Sequence, residues 1–214
     1  YIYTQVYGVR KMKYLFVIYT DSQYKEHLDY FKKQEFYKEI SDNPNIEVIE
    51  WGADYHTEYN KLPSKTQEMM KWCSENKEYD YLIKCDDTIF NDTWDFYKSR
   101  LGKERDGYRY TCDRWGDKSW SVVDEDDNKH YWGLNYIRVS PDEFKIYFDN
   151  HYGEGYEYNL DFIDTYFHFF EGKFYMVSKE LSIFIGEQEN FAKRMSESFP
   201  VEDLMVGYLV KSFK

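Results

Sequence analysis

Residues 79–88 read Tyr-Asp-Tyr-Leu-Ile-Lys-Cys-Asp-Asp-Thr, an apolar strand that runs into two adjacent carboxylates and stops. Strand residues are held rigidly and alternate faces, so acids at the carboxyl-terminal edge of a buried strand project into the crevice where open α/β sheets take ligands. A hard divalent cation needs oxygen ligands, and magnesium or manganese takes only one or two carboxylates from a protein, leaving its other positions to water and phosphates. Asp86 and Asp87 are therefore candidate metal ligands. An acidic loop that merely solvates a strand end is the plain alternative. The surrounding sequence has to decide between them.

That surrounding sequence alternates strand and helix. Residues 14–19, Tyr-Leu-Phe-Val-Ile-Tyr, are a continuous apolar run of strand length, as in a strand buried on both faces, and the run ends at Thr20-Asp21-Ser22. Apolar spacing at Tyr24, Leu28 and Phe31 among dense lysine and glutamate predicts one amphipathic helix over 23–40. After the Asn43-Pro44-Asn45 turn, residues 46–51 alternate apolar and acidic as a second strand. Ser64 and Gln67 have capping-box spacing, so a helix is expected from Pro63-Ser64, with Met69, Met70, Trp72 and Cys73 on its apolar face. Strand, helix, strand, helix, strand implies an α/β fold with a mostly parallel central sheet flanked by helices.

Beyond Asn91 the pattern loosens. A helix through Trp94, Phe96 and Tyr97 is expected, then strands at 119–123 and 129–139 flanking an acidic hairpin tip at 124–128. The tip lacks the mid-loop glycine and distal glutamate of an EF-hand. Ser140-Pro141-Asp142-Glu143 has the chemistry of a helix start, and a further helix is expected through Phe162, Tyr166 and Phe170 before the Glu171-Gly172 turn. The 214 residues fit a single domain.

Charge narrows the partners. A net charge of −12 argues against non-specific nucleic-acid binding, which needs a basic surface. A nucleotide stays compatible if a metal ion or local lysines supply positive charge. Aromatics reach 21% of the chain; most belong in the core, but Tyr and Trp also offer flat faces for a sugar ring or a base. Cys73, Cys85 and Cys112 form no close pair and read as reduced thiols of a cytoplasmic setting. No apolar run approaches membrane-spanning length and no signal peptide is evident, so no membrane insertion is expected. His27 and His56 fall at surface positions, while His130, His151 and His168 are isolated, so no zinc site is expected. No Gly-rich phosphate loop occurs, which leaves phosphate recognition to a metal.

Several blocks, in order, resemble one family. Residues 54–66, Asp-Tyr-His-Thr-Glu-Tyr-Asn-Lys-Leu-Pro-Ser-Lys-Thr, resemble the Asp-x-Tyr-x-Asn-Leu-x-x-Lys-Thr segment of the β-1,3-galactosyltransferase and Fringe-like glycosyltransferases. The strand from Tyr81 to Asp87 resembles that family's Lys-x-Asp-Asp-Asp metal motif. Residues 132–140 resemble its Gly-rich strand leading to serine, and residues 201–207, Val-Glu-Asp-Leu-Met-Val-Gly, its Glu-Asp-Val-x-x-Gly block. The chain also resembles the amino-terminal domain of chlorella-virus-encoded glycosyltransferases, which would place it in a host cytoplasm. Two departures stand out. The triple aspartate is either Asp86-Asp87-Thr88 or Cys85-Asp86-Asp87, and the early Asn91 favours the second register. The family's later histidine ligand has no counterpart after Gly207, so water or a phosphate oxygen would take its place.

The resemblance implies a single GT-A domain with a nucleotide- and metal-binding half over about 11–92 and an acceptor and catalytic half over about 93–214. It implies Mn2+ or Mg2+ at Asp86 and Asp87, a UDP-sugar donor, a glycan acceptor, and Asp203 as general base of an inverting displacement. Thr20, Asp21, Asp54, Lys65 and Asp86 would contact the nucleotide, with Tyr19 or Tyr55 stacking on uracil. From residues alone, an acid favouring a helix amino terminus after Pro200 is the better reading of Asp203, and the resemblance reverses it. A non-catalytic carbohydrate-binding module and a metal-dependent phosphohydrolase remain as alternatives. The chain is expected to act as a monomer or as one part of a larger multidomain protein.

Overall fold

The apolar run near the start of the chain forms β1 (Tyr14–Tyr19), buried at all six positions. The computed structural model describes residues 11–89, 122–123, 129–133, 136–140, 142, 167–198 and 200–213. Strand β1 pairs in parallel with β2 (Ile46–Trp51) on one side and with β3 (Tyr81–Asp86) on the other. Next to β3 the pairing turns antiparallel, through β8 (Phe174–Ser178), β5 (Lys129–Gly133) and β4 (Val122–Val123), giving the order β2-β1-β3-β8-β5-β4. Because β8 opposes both β3 and β5, four of the six strands (β2, β1, β3 and β5) run the same way. A separate antiparallel pair joins β6 (Tyr136–Val139) to β7 (Phe167–Phe170). The result is a mixed α/β fold of GT-A-like type.

Helices cover the sheet. The longest, α3 (Leu62–Asn76), packs on α4 (Lys179–Gly186) and α5 (Glu189–Ser198), while α6 (Glu202–Ser212) packs on β7. Phe16, Phe31, Phe170 and Phe174 are fully enclosed in the core. Each such ring contributes about 1.5–3 kcal/mol relative to exposure. Cys73 and Cys85 are free, buried thiols, and burial pushes the Cys73 thiol up to about 12, so it stays protonated and inert. Among the described residues no helix is long and apolar enough to cross a membrane.

Four expectations change. The single helix over 23–40 is broken into α1 (Lys25–Phe31) and α2 (Glu35–Ser41) by an extended Gln34, whose side-chain amide donates to the Ile89 carbonyl at 3.1 Å. The core explains the break. Leu28, Phe31, Phe36 and Ile40 are all buried, but the five-residue step from Phe31 to Phe36 would swing one of them about 140° off the shared face of a continuous helix. The capping box is not formed either. Helix α3 begins at Leu62, Ser64 Oγ pairs with Ser196 Oγ at 2.8 Å, and Gln67 donates to the Gly186 carbonyl, so both side chains tie α3 to its neighbours.

The strand over 129–139 divides between two sheets, since alternation marks a strand but not its partner. Phe170, expected in a helix, ends β7, because the spacing of Phe162, Tyr166 and Phe170 coincides with an aromatic run that pairs with β6. The helix through Trp94, Phe96 and Tyr97, the hairpin tip at 124–128, Cys112 and most of the helix begun at Ser140 lie outside the described residues.

One turn fixes how closely the edge of β2 approaches β1. Gly52, with φ at +94°, lies so near the Thr20 carbonyl and Lys65 Nζ that a Cβ has no room. Gly52→Ala is expected to cost at least about 1–3 kcal/mol from the backbone conformation alone. A thermal melt checks it, with a fall of several degrees expected.

Candidate active site

Strands β1 and β3 end level, with Tyr19 opposite Asp86. The chain lays β2 on one side of β1 and β3 on the other, so the β1–β3 boundary is a topological switch point, where open α/β sheets leave a ligand crevice. The residues just past the two strands meet there. Thr20 Oγ1 donates to Asp87 Oδ2 at 2.6 Å, and the Asp87 N–H reaches the Tyr19 carbonyl at 3.3 Å. Around them lies a cavity of about 540 Å³, with the turn Glu171-Gly172-Lys173 and the first turn of α6 completing its wall. Such a volume suits a small-molecule ligand.

The floor of the cavity is built on a buried cation. Lys84, 2% exposed, shares its strand face with Asp86 and donates to Asp86 Oδ1 at 2.7 Å and to the Gly172 carbonyl. Its Nζ also lies 3.6 Å from Glu202 Oε2, while Glu202 Oε1 accepts from the Tyr175 hydroxyl at 2.5 Å. Burial alone would lower the Lys84 pKa, but Asp86, Glu202 and Asp203 overcome it and raise it, so the ammonium is permanent. Lys65 supplies a second cation, donating to the Thr20 carbonyl at 2.5 Å and lying 4.6 Å from the Tyr19 ring centre. Burial lowers its pKa; Asp21, Asp86 and Asp87 pull it back up while Lys84 pushes it down.

The acids outnumber these cations. Burial raises Asp86 to about 6; Lys84 offsets part of this, while Glu202 and Asp87 add to it. Asp87 is raised by burial against the opposing Thr20, His27 and Lys65. Asp203, in the first turn of α6, is pushed up to about 7 by burial and then by the neighbouring Glu202 charge. Its carboxylate nevertheless accepts from the Gly172 N–H at 3.3 Å and the Leu204 N–H at 3.0 Å.

Asp86 and Asp87 meet the requirements of a hard cation. They form an incompletely neutralised pair at a cavity edge, each with one oxygen engaged by Lys84 or Thr20. Among the described residues no group of three or more His, Cys, Asp or Glu side chains could hold a metal by itself. The pair therefore fits magnesium or manganese completed by substrate oxygens rather than a closed all-protein cage.

Of the residues singled out in the sequence, Tyr19, Thr20, Asp21, Lys65, Asp86, Asp87 and Asp203 all line this one cavity. Asp54 is exposed and lies outside its wall. Asp21 is committed to structure. Partial burial pushes its pKa up, but the Gln23 and Thr57 N–H groups and His56 Nδ1, at 2.9, 2.6 and 3.0 Å, hold it below the usual range and pin the loop after β2. Tyr19 is only 7% exposed, with Lys65 and Lys84 over its ring, and Tyr55 lies outside the wall. The half-exposed rings at the cavity are instead Tyr24 and Tyr59.

Sequence reasoning missed Lys84, Glu202 and Gly172. A lysine inside an otherwise apolar strand, two positions before Asp86, was the available signal for the first. Thr57 was also missed; its hydroxyl is buried without a partner in the described structure, on a residue of the cavity wall.

A galactosyltransferase family model matches residues 5–214, nearly the whole chain. No curated protein matches it.

The raised carboxyl of Asp203 sets a pH dependence of stability. A carboxyl raised in the folded state binds its proton more tightly there than in the unfolded chain, so its contribution is favourable at low pH and is lost as pH rises through the folded value. Asp203→Asn is therefore expected to raise the melting temperature at pH 8 and to leave it nearly unchanged at pH 4, checked by calorimetric scans at both.

Proposed function

We propose that the chain, which belongs to the galactosyltransferase family and is therefore a glycosyltransferase, moves a sugar from a UDP donor to a hydroxyl of a glycan acceptor with inversion at the anomeric carbon. The observation that carries this reading is the single cavity lined both by the strand-edge acids Asp86 and Asp87 and by the raised carboxyl of Asp203. The same cavity thus carries acids with the chemistry to hold a metal for a diphosphate and a carboxyl with the chemistry to accept a proton.

Asp86 and Asp87 would hold a manganese or magnesium ion, which when bound supplies Lewis-acid neutralisation of the leaving diphosphate. Lys65 adds a point charge at the same strand edge. The Thr57 hydroxyl offers a hydrogen bond that no described group takes, and Tyr24 and Tyr59 offer flat faces to the base or a sugar ring.

Asp203 performs the proton transfer. Its carboxylate takes the hydrogen of the acceptor hydroxyl as that oxygen bonds to the anomeric carbon and the carbon–oxygen bond to the diphosphate breaks. The electron pair of that bond leaves with UDP. A value of about 7 keeps a large ionised fraction at neutral pH in a group far more basic than an ordinary aspartate.

With UDP-galactose as the probe donor, turnover is expected to rise with pH through about 7 as Asp203 ionises. Asp203→Asn should lower turnover by about 10²–10⁴-fold. Its affinity for UDP in manganese should stay close to that of the parent chain; undiminished turnover would remove Asp203 from the mechanism. In calorimetric titrations Asp87→Ala should lose the manganese-dependent part of UDP affinity. A parent chain that binds UDP equally well with and without manganese would exclude the metal reading.

A further inference from the structure

Lys84 takes no part in the steps above, yet it touches three elements at once. Its Nζ donates to Asp86 Oδ1 at the end of β3, lies 3.6 Å from Glu202 Oε2 at the start of α6, and donates to the carbonyl of Gly172 in the turn between β7 and β8. Gly172 passes the contact on, because its own N–H donates to Asp203 Oδ2. The turn lies close against the start of α6. A Cβ at Gly172 would stand 2.7 Å from Glu202 Oε2 and 3.5 Å from Asp203 Cβ.

An ammonium buried inside a strand carries a desolvation cost that only close partners offset. A position in a sheet core is ordinarily filled by an apolar side chain. The Gly172–Asp203 hydrogen bond, at 3.3 Å, is near the long end of the range and depends on how the turn is held.

We propose that Lys84 is a positioning residue that, by gripping the Gly172 carbonyl, sets the carboxylate of Asp203 and the register of α6 against the edge of β3. The inference rests on reading Asp203 as the base, but its geometry can be tested without any substrate. In the full chain labelled with 15N, Asp203→Ala defines the Gly172 amide signal when the carboxylate is absent. Lys84→Met keeps the apolar stem and removes the charge. It is expected to move the Gly172 amide towards that position and to speed its hydrogen exchange by about tenfold. Lys84→Arg should recover part of both changes.

Gly172→Ala alters no charge. It should shift the Leu204 amide, which donates to Asp203 Oδ1. With UDP-galactose and manganese, Lys84→Met and Gly172→Ala should each lower kcat by about 100-fold, the scale of a base displaced by an ångström. In Gly172→Ala, which leaves the Lys84–Asp86 contact in place, KM should change little, the pattern of an interaction made in the transition state.

A folded Lys84→Met chain whose Gly172 amide keeps its parent position and exchange rate overturns the proposal. If that variant does not fold, an unmoved Leu204 amide in Gly172→Ala overturns it instead. Full turnover in Asp203→Asn would remove the base assignment while leaving the amide coupling intact, so the two failures are separable.

Discussion

The buried ammonium of Lys84 is the interaction on which the cavity depends. Asp86, Asp87, Glu202 and Asp203 come together around the ends of β1 and β3, opposed by Lys84 beneath them and Lys65 at the side. Without Lys84, Glu202 would be a buried carboxylate with only the Tyr175 hydroxyl among its described partners, which costs several kcal/mol. With it, the acids can be close without being fully neutralised. Burial first, and the Glu202 charge after it, raise Asp86 to about 6 and Asp203 to about 7. A cavity in that state holds carboxyls more basic than ordinary aspartates, at some expense in stability as pH rises.

Topology brings these residues together from distant parts of the chain. Parallel register puts Tyr19 beside Asp86, and the strand ends then deliver Thr20 against Asp87 with no further adjustment. The loop after β2 is fastened over this edge by Asp21, which holds the Thr57 N–H and His56, while Gly52 lets that loop lie against Thr20 and Lys65. From the opposite side, β8 sets Tyr175 beside Lys84, and the turn before it presents Gly172 to both Lys84 and Asp203. The strand-edge acids Asp86 and Asp87 and the carboxyl of Asp203 are therefore parts of one packed unit.

Much of the first half was legible because short, dense patterns specified it. The uninterrupted apolar run became β1, the alternating run became β2, and the strand ending in Asp86 became β3, each close to the expected bounds. Local rules failed where tertiary partners competed. Ser64 and Gln67 had the right spacing to cap α3, but Ser196 and Gly186 offered them partners on α5 and α4. The helix over 23–40 broke because Phe36 and Phe31 could not reach one core face on an unbroken helix. Tyr19 was a plausible stacking ring by position, but two lysines occupy its surroundings.

The sequence by itself determined the strand-and-helix alternation of the first half and the identity of the strand-edge acids, because apolar periodicity and adjacent carboxylates are local properties; Asp203 stood out only through the resemblance of residues 201–207 to a family block. Only the tertiary structure decided that Asp54 stands outside the cavity, that Asp21 secures a loop, and that Lys84 and Gly172 join the strand acids to Asp203. The physical reason is that charge effects depend on distance and burial. Residues separated by scores of positions acquire shared electrostatics only when the sheet sets them a few ångströms apart, away from water.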